Sequence, residues 1–216
     1  MLEVDNLLDF SCNDECIVLS PHRSKDKKPA ITVHIPGNAG KAHFYGMDFM
    51  LNISNPVLMF RIFIETHKLL EQNREEIKMT YEADHHGPNI EKPILFYELG
   101  STEQEWANKD LCILMANALK NALSSNEMPS ITACYFGGNH YASRCNELTI
   151  KNGYAFSHII AKYSLDETNE NVVKQALEKT TQKIDIAIIE KDGTKRIHKD
   201  KIIPILEQLG VDYKLL

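Results

Sequence analysis

Apolar and polar positions alternate along this chain in two rhythms. Short β-branched runs bounded by polar or Pro/Gly segments, CIVLS (16–20) and AITVHI (30–35), predict strands. Residues 55–77, NPVLMFRIFIETHKLLEQNREEI, carry apolar side chains at helical period among good helix formers and predict a long helix. KMTYEAD (78–84) and PILFYEL (93–99) read as strands. STEQEWANKDLCILMANALKNAL (101–123) reads as a helix opening on a capping box of Ser101 and Gln104. ITACYFG (131–137) is a further strand, YAFSHIIAKY (154–163) holds a short one, and NENVVKQALEKT (169–180) is helical. IDIAIIE (184–190) is a buried strand, KIIPILEQLG (201–210) a helix that tolerates Pro204 only near its first turn, and DYKLL (212–216) a last strand. Strands alternating with helices predict one α/β domain over residues 1–216, with a mixed, largely parallel sheet flanked by helices. Residues 1–15 are expected to be a poorly ordered or divergent N-terminal segment.

Composition adds boundaries. The 216 residues suffice for one substantial core, and 43% apolar with 25% charged residues is ordinary for a soluble globular chain. The longest apolar run, PVLMFRIFI, is interrupted by Arg61 and is far shorter than the roughly 18–20 residues of a membrane helix. The acidic start MLEVDNLLDF lacks the basic region and cleavage site of a secretory signal, so a cytoplasmic protein with no membrane partner is expected. Five scattered cysteines predict reduced thiols, and the Cys12–Cys16 pair has no second pair to complete four zinc ligands. The net charge of −6 excludes a general nucleic-acid coat protein. Two local patches run the other way: HRSKDKK (22–28) and KDGTKRIHKDK (191–201) each carry a net +3.

Candidate chemistry gathers just past strand ends. His34 leads into PGNAG, His85 and His86 follow KMTYEAD, Gly100 and Ser101 follow PILFYEL, and Gly137, Gly138 and His140 follow ITACYF. In mutually parallel strands those ends share one edge, where ligand crevices form. Alternation puts Glu82, Asp84 and His86 on one face of an extended 78–86 segment and His85 on the other, so the two histidines point apart unless the Gly87–Pro88 turn bends the chain. Glu98 continues the apolar face of Ile94 and Phe96, and a buried carboxylate has to be paired, metal-bound or protonated. Ser101 lies outside a G-x-S-x-G elbow, which argues against a serine hydrolase. FGGNHYA and HIPGNAG combine glycines with Asn139, His140, His34 and Asn38. His43, His67 and His198 read as surface residues.

Taken in order, PHRSKDKKPAITVHIPGNAGKA, YEADHHGP, PILFYELGSTEQEW, GGNHYA and YAFSHIIAKYSL resemble the archaeal and plant type of D-aminoacyl-tRNA deacylase over most of residues 20–165. The resemblance implies an α/β fold related to peptidyl-tRNA hydrolases and phosphorylase-like proteins, and hydrolysis of the ester joining a D-amino acid to the 3′ end of tRNA. It also implies zinc, with His85, His86 and His140 as candidate ligands, and D-aminoacyl-tRNA as the partner of a monomer or homodimer. The family usually carries a further N-terminal segment, about one βαβ unit, that does not precede Cys16 here. Pro21 stands where a basic residue is common, Asn139 replaces a third glycine, and Ser143 stands where proline is typical.

The residues fit such chemistry in their own right. An activated ester needs a positioned water, a base and oxyanion donors. His86 or His140 is expected as base or water-orienting group, with Glu98 fixing its tautomer and His34 completing the catalytic set. Backbone N–H groups of Gly137, Gly138 and Asn139, and of the loop around Asn38, are expected as oxyanion donors. Ser101, His22, Lys25, Lys27 and Lys28 are expected on the substrate side, the lysines meeting tRNA phosphates. Two other readings stand beside this one: a zinc-dependent hydrolase of small peptides or esters, and a diverged, non-catalytic tRNA-binding relative.

Overall fold

Strand β1 (Cys16–Arg23) alternates Val18, Ser20 and His22 on one face with Ile17, Leu19 and Pro21 on the other, and that split organises the first half of the molecule. In the computed structural model, which describes residues 15–73 and 75–216, it is followed by β2 (Ala30–His34), β3 (Gly37–Asn38), β4 (Met50–Leu51) and α1 (Pro56–Gln72). Then come β5 (Lys78–Tyr81), β6 (Ile94–Ser101), α2 (Glu103–Trp106), α3 (Lys109–Ser124), β7 (Ile131–Phe136) and α4 (Ser143–Asn152). The chain ends with β8 (Tyr154–Ile160), α5 (Lys162–Leu165), α6 (Glu170–Glu178), β9 (Ile186–Ile189), α7 (Arg196–Gln208) and β10 (Tyr213–Leu215). Cys12 and the segment 1–14 lie outside the described residues. Cys16 opens β1, and Cys112, Cys134 and Cys145 are free thiols.

Eight of the strands form two four-stranded sheets, and β3 pairs with β4 in a two-stranded one. One has the order β1-β6-β2-β5 and is mixed; the other, β10-β9-β7-β8, is parallel throughout. Helix α1 packs against β5 of the first sheet and β8 of the second, so one long apolar helix spans both. Its start is set by Asn55, whose side chain caps Leu58 N–H at 3.1 Å, and by Pro56 at the first helical position, which loses no helical hydrogen bond there. One core joins Ile31, Val33, Leu95 and Tyr97 to Phe63 of α1 and to Tyr135 and Phe156 of the second sheet. The opposite face of the second sheet, with Cys134, Phe136, Ala187 and Ile189, packs on Val172 and Val173 of α6 and Ile202 and Leu206 of α7.

Several elements depart from the sequence pattern. The 101–123 segment is two helices, and the capping box is Thr102 with Glu105, one residue beyond the Ser101–Gln104 pair expected. Asn108 then caps α3 afresh through Asp110 and Leu111 N–H. Helix α4, SRCNELTIKN, buries only Cys145 and Thr149 and holds too few apolar residues to stand out in the sequence. Helix α7 starts at Arg196, so Pro204 lies inside it; its exposed face leaves the carbonyl that would have bonded the proline open to water.

Candidate active site

On the face of the first sheet away from α1, strand register assembles a polar row. Ser20, Glu98 and Thr32 are direct neighbours across β1, β6 and β2. Val33 pairs with Tyr81, so His34 lies beside Glu82 as the chain leaves β5. His22 reaches this row from β1 because its neighbour is Gly100: a Cβ there would come within 2.7 Å of His22 Cβ and 2.8 Å of its ring. Beyond Tyr81 the chain leaves the sheet. Ala83 N–H donates to His140 O at 2.8 Å and Asp84 N–H to Ile159 O at 2.8 Å, which ties residues 82–84 to the second sheet.

Glu82 is the centre. Its Oε1 lies 3.5 Å from His22 Nδ1 and 3.3 Å from His140 Nε2, and its Oε2 lies 3.3 Å from His34 Nδ1. These are close contacts without aligned hydrogen-bond geometry, and both oxygens are fully buried. A bare buried carboxylate costs several kcal/mol, so three imidazoles around one carboxylate are its compensation. Glu98 accepts from Ser20 Oγ at 2.6 Å and lies 3.4 Å from His22 Nδ1. His34 Nε2 is 3.2 Å from His86 Nε2, and His140 Nδ1 is 3.0 Å from Tyr163 OH.

These contacts sort the protons. Burial is the largest influence on His34 and opposes its charge, but Glu82, Glu98 and Asp84 outweigh it and hold the ring above its ordinary value. Burial likewise works to raise Glu82, yet His140, His34 and His22 hold it well below the carboxylate range. Burial first, and the His34 charge second, push His86 down to about 4 and His85 well below its ordinary value. His85 Nδ1–H donates to Ala83 O at 2.7 Å and His86 Nδ1–H to Gly87 O, so both neutral rings keep their Nε2 lone pairs. His34 Nε2–H then donates to His86 Nε2.

That pattern suits a metal ion. His34, His85 and His86 each offer one ligand atom within 4.8 Å of the others, as do Glu82, His85 and His140, and His22, Glu82 and Glu98. In the first group every Nδ1 faces an acceptor, namely Glu82, Ala83 O and Gly87 O, which is how metal-binding histidines are oriented. Two nitrogens on one tetrahedral zinc stand about 3.4 Å apart, and His34 and His86 match that at 3.2 Å.

A cleft of about 330 Å³ opens onto the cluster, walled by Gly37, Asn38, Gly40, His43, Phe44, His85, His86, His140, Tyr163 and Glu167. A separate apolar pocket of about 260 Å³ between β1 and α3 holds no such cluster, so chemistry selects the histidine cleft.

Known proteins are similar to this chain in sequence, and one solved structure is similar in fold. A family profile described as D-aminoacyl-tRNA deacylase matches residues 10–214. The chain belongs to the D-aminoacyl-tRNA deacylase family. A D-aminoacyl-tRNA deacylase of Methanosarcina barkeri is 36% identical over 197 residues, covering 90% of this chain and 63% of the relative. One of Ignicoccus hospitalis is 31% identical, covering 92% of this chain and 80% of the relative. A crystal structure of a conserved protein of unknown function superposes with a TM-score of 0.90 at 30% identity, over 98% of this chain and 74% of that one. The chain thus spans just under two thirds of the Methanosarcina relative's length and more of the other two proteins named.

Within this deacylase-family chain the expected residues divide. His34, His85, His86 and His140 meet, as do His22 and Glu98. The strand expected over 78–84 ends at Tyr81, and His86 takes a left-handed φ of +48°, so the rings of His85 and His86 stand 4.4 Å apart instead of pointing apart. The carboxylate behind His140 is Glu82, because Glu98 is engaged by His22 and Ser20. The expected ligand trio divides too: His85 groups with His34 and His86, or with Glu82 and His140.

Ser101 falls at the opposite end of the sheet from His34, since β6 runs antiparallel to β2; its hydroxyl donates to Lys28 O at 2.7 Å. Gly137 and Gly138 pack against Glu190 and the Gly193 loop, and Gly137 N–H already donates to Ile160 O at 2.9 Å, which removes it as an oxyanion donor. Asn139 is exposed and outside the cleft wall. Asn38 lines the cleft but donates its amide to Tyr45 O and Met47 O, folding its own loop. Lys25, Lys27 and Lys28 are exposed on the loop beside the cluster.

His43 is exposed, as expected, and also lines the cleft; His198 is not a surface residue but is buried and bonded to Asp166 at 2.9 Å. Glu82, Tyr141 and Tyr163 were missed as site residues, and so was the buried pair of His158 Nδ1 and Asp84 Oδ2, 2.5 Å apart, that anchors the histidine turn. The available signal was two acids immediately before a histidine pair, which alternation alone did not rank.

Proposed function

We propose that this chain hydrolyses the ester between a D-amino acid and the 3′ end of tRNA, with the aminoacyl group in the histidine cleft. The observation that carries this reading is the position of His140. It lines the cleft and also a cavity of about 250 Å³ shared with Arg23, Ser24, Lys25, Asp26 and Tyr141. One ring therefore stands between a chamber fit for an amino acid and a basic surface fit for RNA, where the scissile ester would lie. Family membership supports the same substrate, and such a substrate is met in the cytoplasm.

Without a metal, His85 accepts a proton from the attacking water at its unprotonated Nε2, since that of His86 already accepts His34 Nε2–H. Glu82 orients His34 and His140 and balances charge that develops on them. Tyr163, raised to about 12 by burial first, stays a neutral hydroxyl and holds His140 through Nδ1. The backbone of Gly37–Gly40 forms a wall that can come close to the Cα substituents and exclude the L side chain. Zinc held by His34, His85 and His86 would take up those same Nε2 atoms and would supply the activation of water and ester carbonyl in place of that proton transfer.

Incubation with D- and L-tyrosyl-tRNA, with and without a chelator, tests the reading. Loss of the D-ester well ahead of the L-ester is expected. Equal rates on both, or none on either, would sink the deacylase assignment; chelator-insensitive D-specific turnover would remove zinc alone.

A further inference from the structure

We infer that Trp106 and Arg23 form a stacking platform for an unpaired nucleotide of an RNA 3′ end, outside the hydrolytic cluster and next to it. The inference rests on the proposed tRNA substrate. Trp106 ends α2 half-buried, with its indole Nε1–H donating to His22 O at 3.2 Å, which fixes the ring against β1. The Arg23 guanidinium lies 4.6 Å from the indole centroid, a planar cation occupying the position a planar base would take. Both line an open cavity of about 530 Å³ with Ser24, Lys25, Lys27 and Thr102. The second cavity continues from Arg23 and Lys25 to His140 and Tyr141.

The platform is also tied directly to the cluster. His22 accepts the Trp106 indole bond on its backbone, while its ring contacts Glu82, Glu98 and Tyr141. The cations are available to a ligand: among the described residues, Arg23, Lys25, Lys27 and Lys28 form no ion pair within 4.0 Å. Their loop is preformed, with Lys27 N–H donating to Ser24 O at 3.2 Å and Ser101 Oγ to Lys28 O at 2.7 Å. Aromatic faces beside a basic track are what an unpaired strand needs, since every base offers a face and every linkage a phosphate. The platform therefore binds single-stranded RNA with little sequence preference.

Trp106 is the chain's sole tryptophan, so its emission reports the platform directly. Titrating the full chain with a single-stranded RNA tetranucleotide should quench that emission saturably, and added salt should weaken the effect. Trp106→Ala should raise KM for D-tyrosyl-tRNA about tenfold, the loss falling on KM more than on kcat, while Trp106→Phe should recover most of it. If Trp106→Ala fails to fold, Arg23→Glu, at an exposed side chain, should raise KM comparably. Unquenched emission, or an unchanged KM in these variants, with D-specific hydrolysis intact would overturn the platform alone. Quenching without hydrolysis of either enantiomer would overturn the deacylase reading and leave the platform standing.

Discussion

The two sheets bury opposite chemistry. The parallel sheet meets its helices through Ala133, Cys134, Phe136, Phe156, Ala187 and Ile189, side chains whose burial contributes stability at roughly 25 cal/mol per Å². One face of the mixed sheet instead buries His22, Thr32, His34 and Glu98, with Glu82 at its edge. Buried ionisable groups of this kind are at best neutral for stability compared with a well-packed apolar set. Under the proposed function, the mixed sheet's polar face serves chemistry, and the parallel sheet and α1 supply the rigidity it requires. Where the two meet, at Asp84 and His158, a buried hydrogen-bonded pair locks one to the other.

The largest test of that contrast pairs one substitution from each sheet. Phe156→Ala should cost about 3–5 kcal/mol in urea unfolding and leave turnover per folded molecule unchanged. Glu82→Gln should lower kcat by about 100- to 10,000-fold. Because the neighbouring histidines can shed their protons, its stability cost should stay under about 2 kcal/mol. A Glu82→Gln variant that unfolds yet keeps its turnover would break the comparison.

A smaller effect is acid lability confined to the mixed sheet. His86, held near 4 by burial first, is unprotonated in the folded chain, while in the unfolded chain it takes up a proton near its ordinary value. Between about pH 6.5 and 4 the unfolded state therefore binds the extra proton, and stability falls as pH is lowered through that window, by about 2 kcal/mol at pH 5 for this residue. Chemical denaturation at pH 7 and pH 5 should show the loss, and His86→Gln should remove that part of it. An identical pH slope in the variant would place the lability elsewhere.

The smallest effect separates the two basic patches. Lys25→Glu with Lys27→Glu should raise KM for aminoacyl-tRNA about tenfold at low salt and flatten its salt dependence. Arg196→Glu with Lys199→Glu should change it less than about twofold, because that patch is engaged internally: Lys195 with Asp166, Arg196 with Asp200, and Lys199 with Lys191 O. Equal effects would mean that RNA crosses both patches.

Much of the fold was legible because alternation and helical period record burial against immediate neighbours. The runs at 16–20, 30–35 and 131–137 are strands, and the 55–77 run contains α1. The ordered motifs pointed to the family, and HIPGN, HHGP and GGNH did bring their histidines together. Periodicity carries no strand direction, however. Ser101 was expected at the edge of His34 on the premise of parallel strands, and the antiparallel pairing of β2 with β6 sends it to the far end. Nor does periodicity state which carboxylate meets which imidazole, since Glu82 gathers His22, His34 and His140 from three separate segments. Local pattern thus determined the elements and the residue types available for catalysis. Their pairing, protonation and common cleft came from long-range register, because a buried charge is compensated by whichever groups the packed sheets bring within about 4 Å of it.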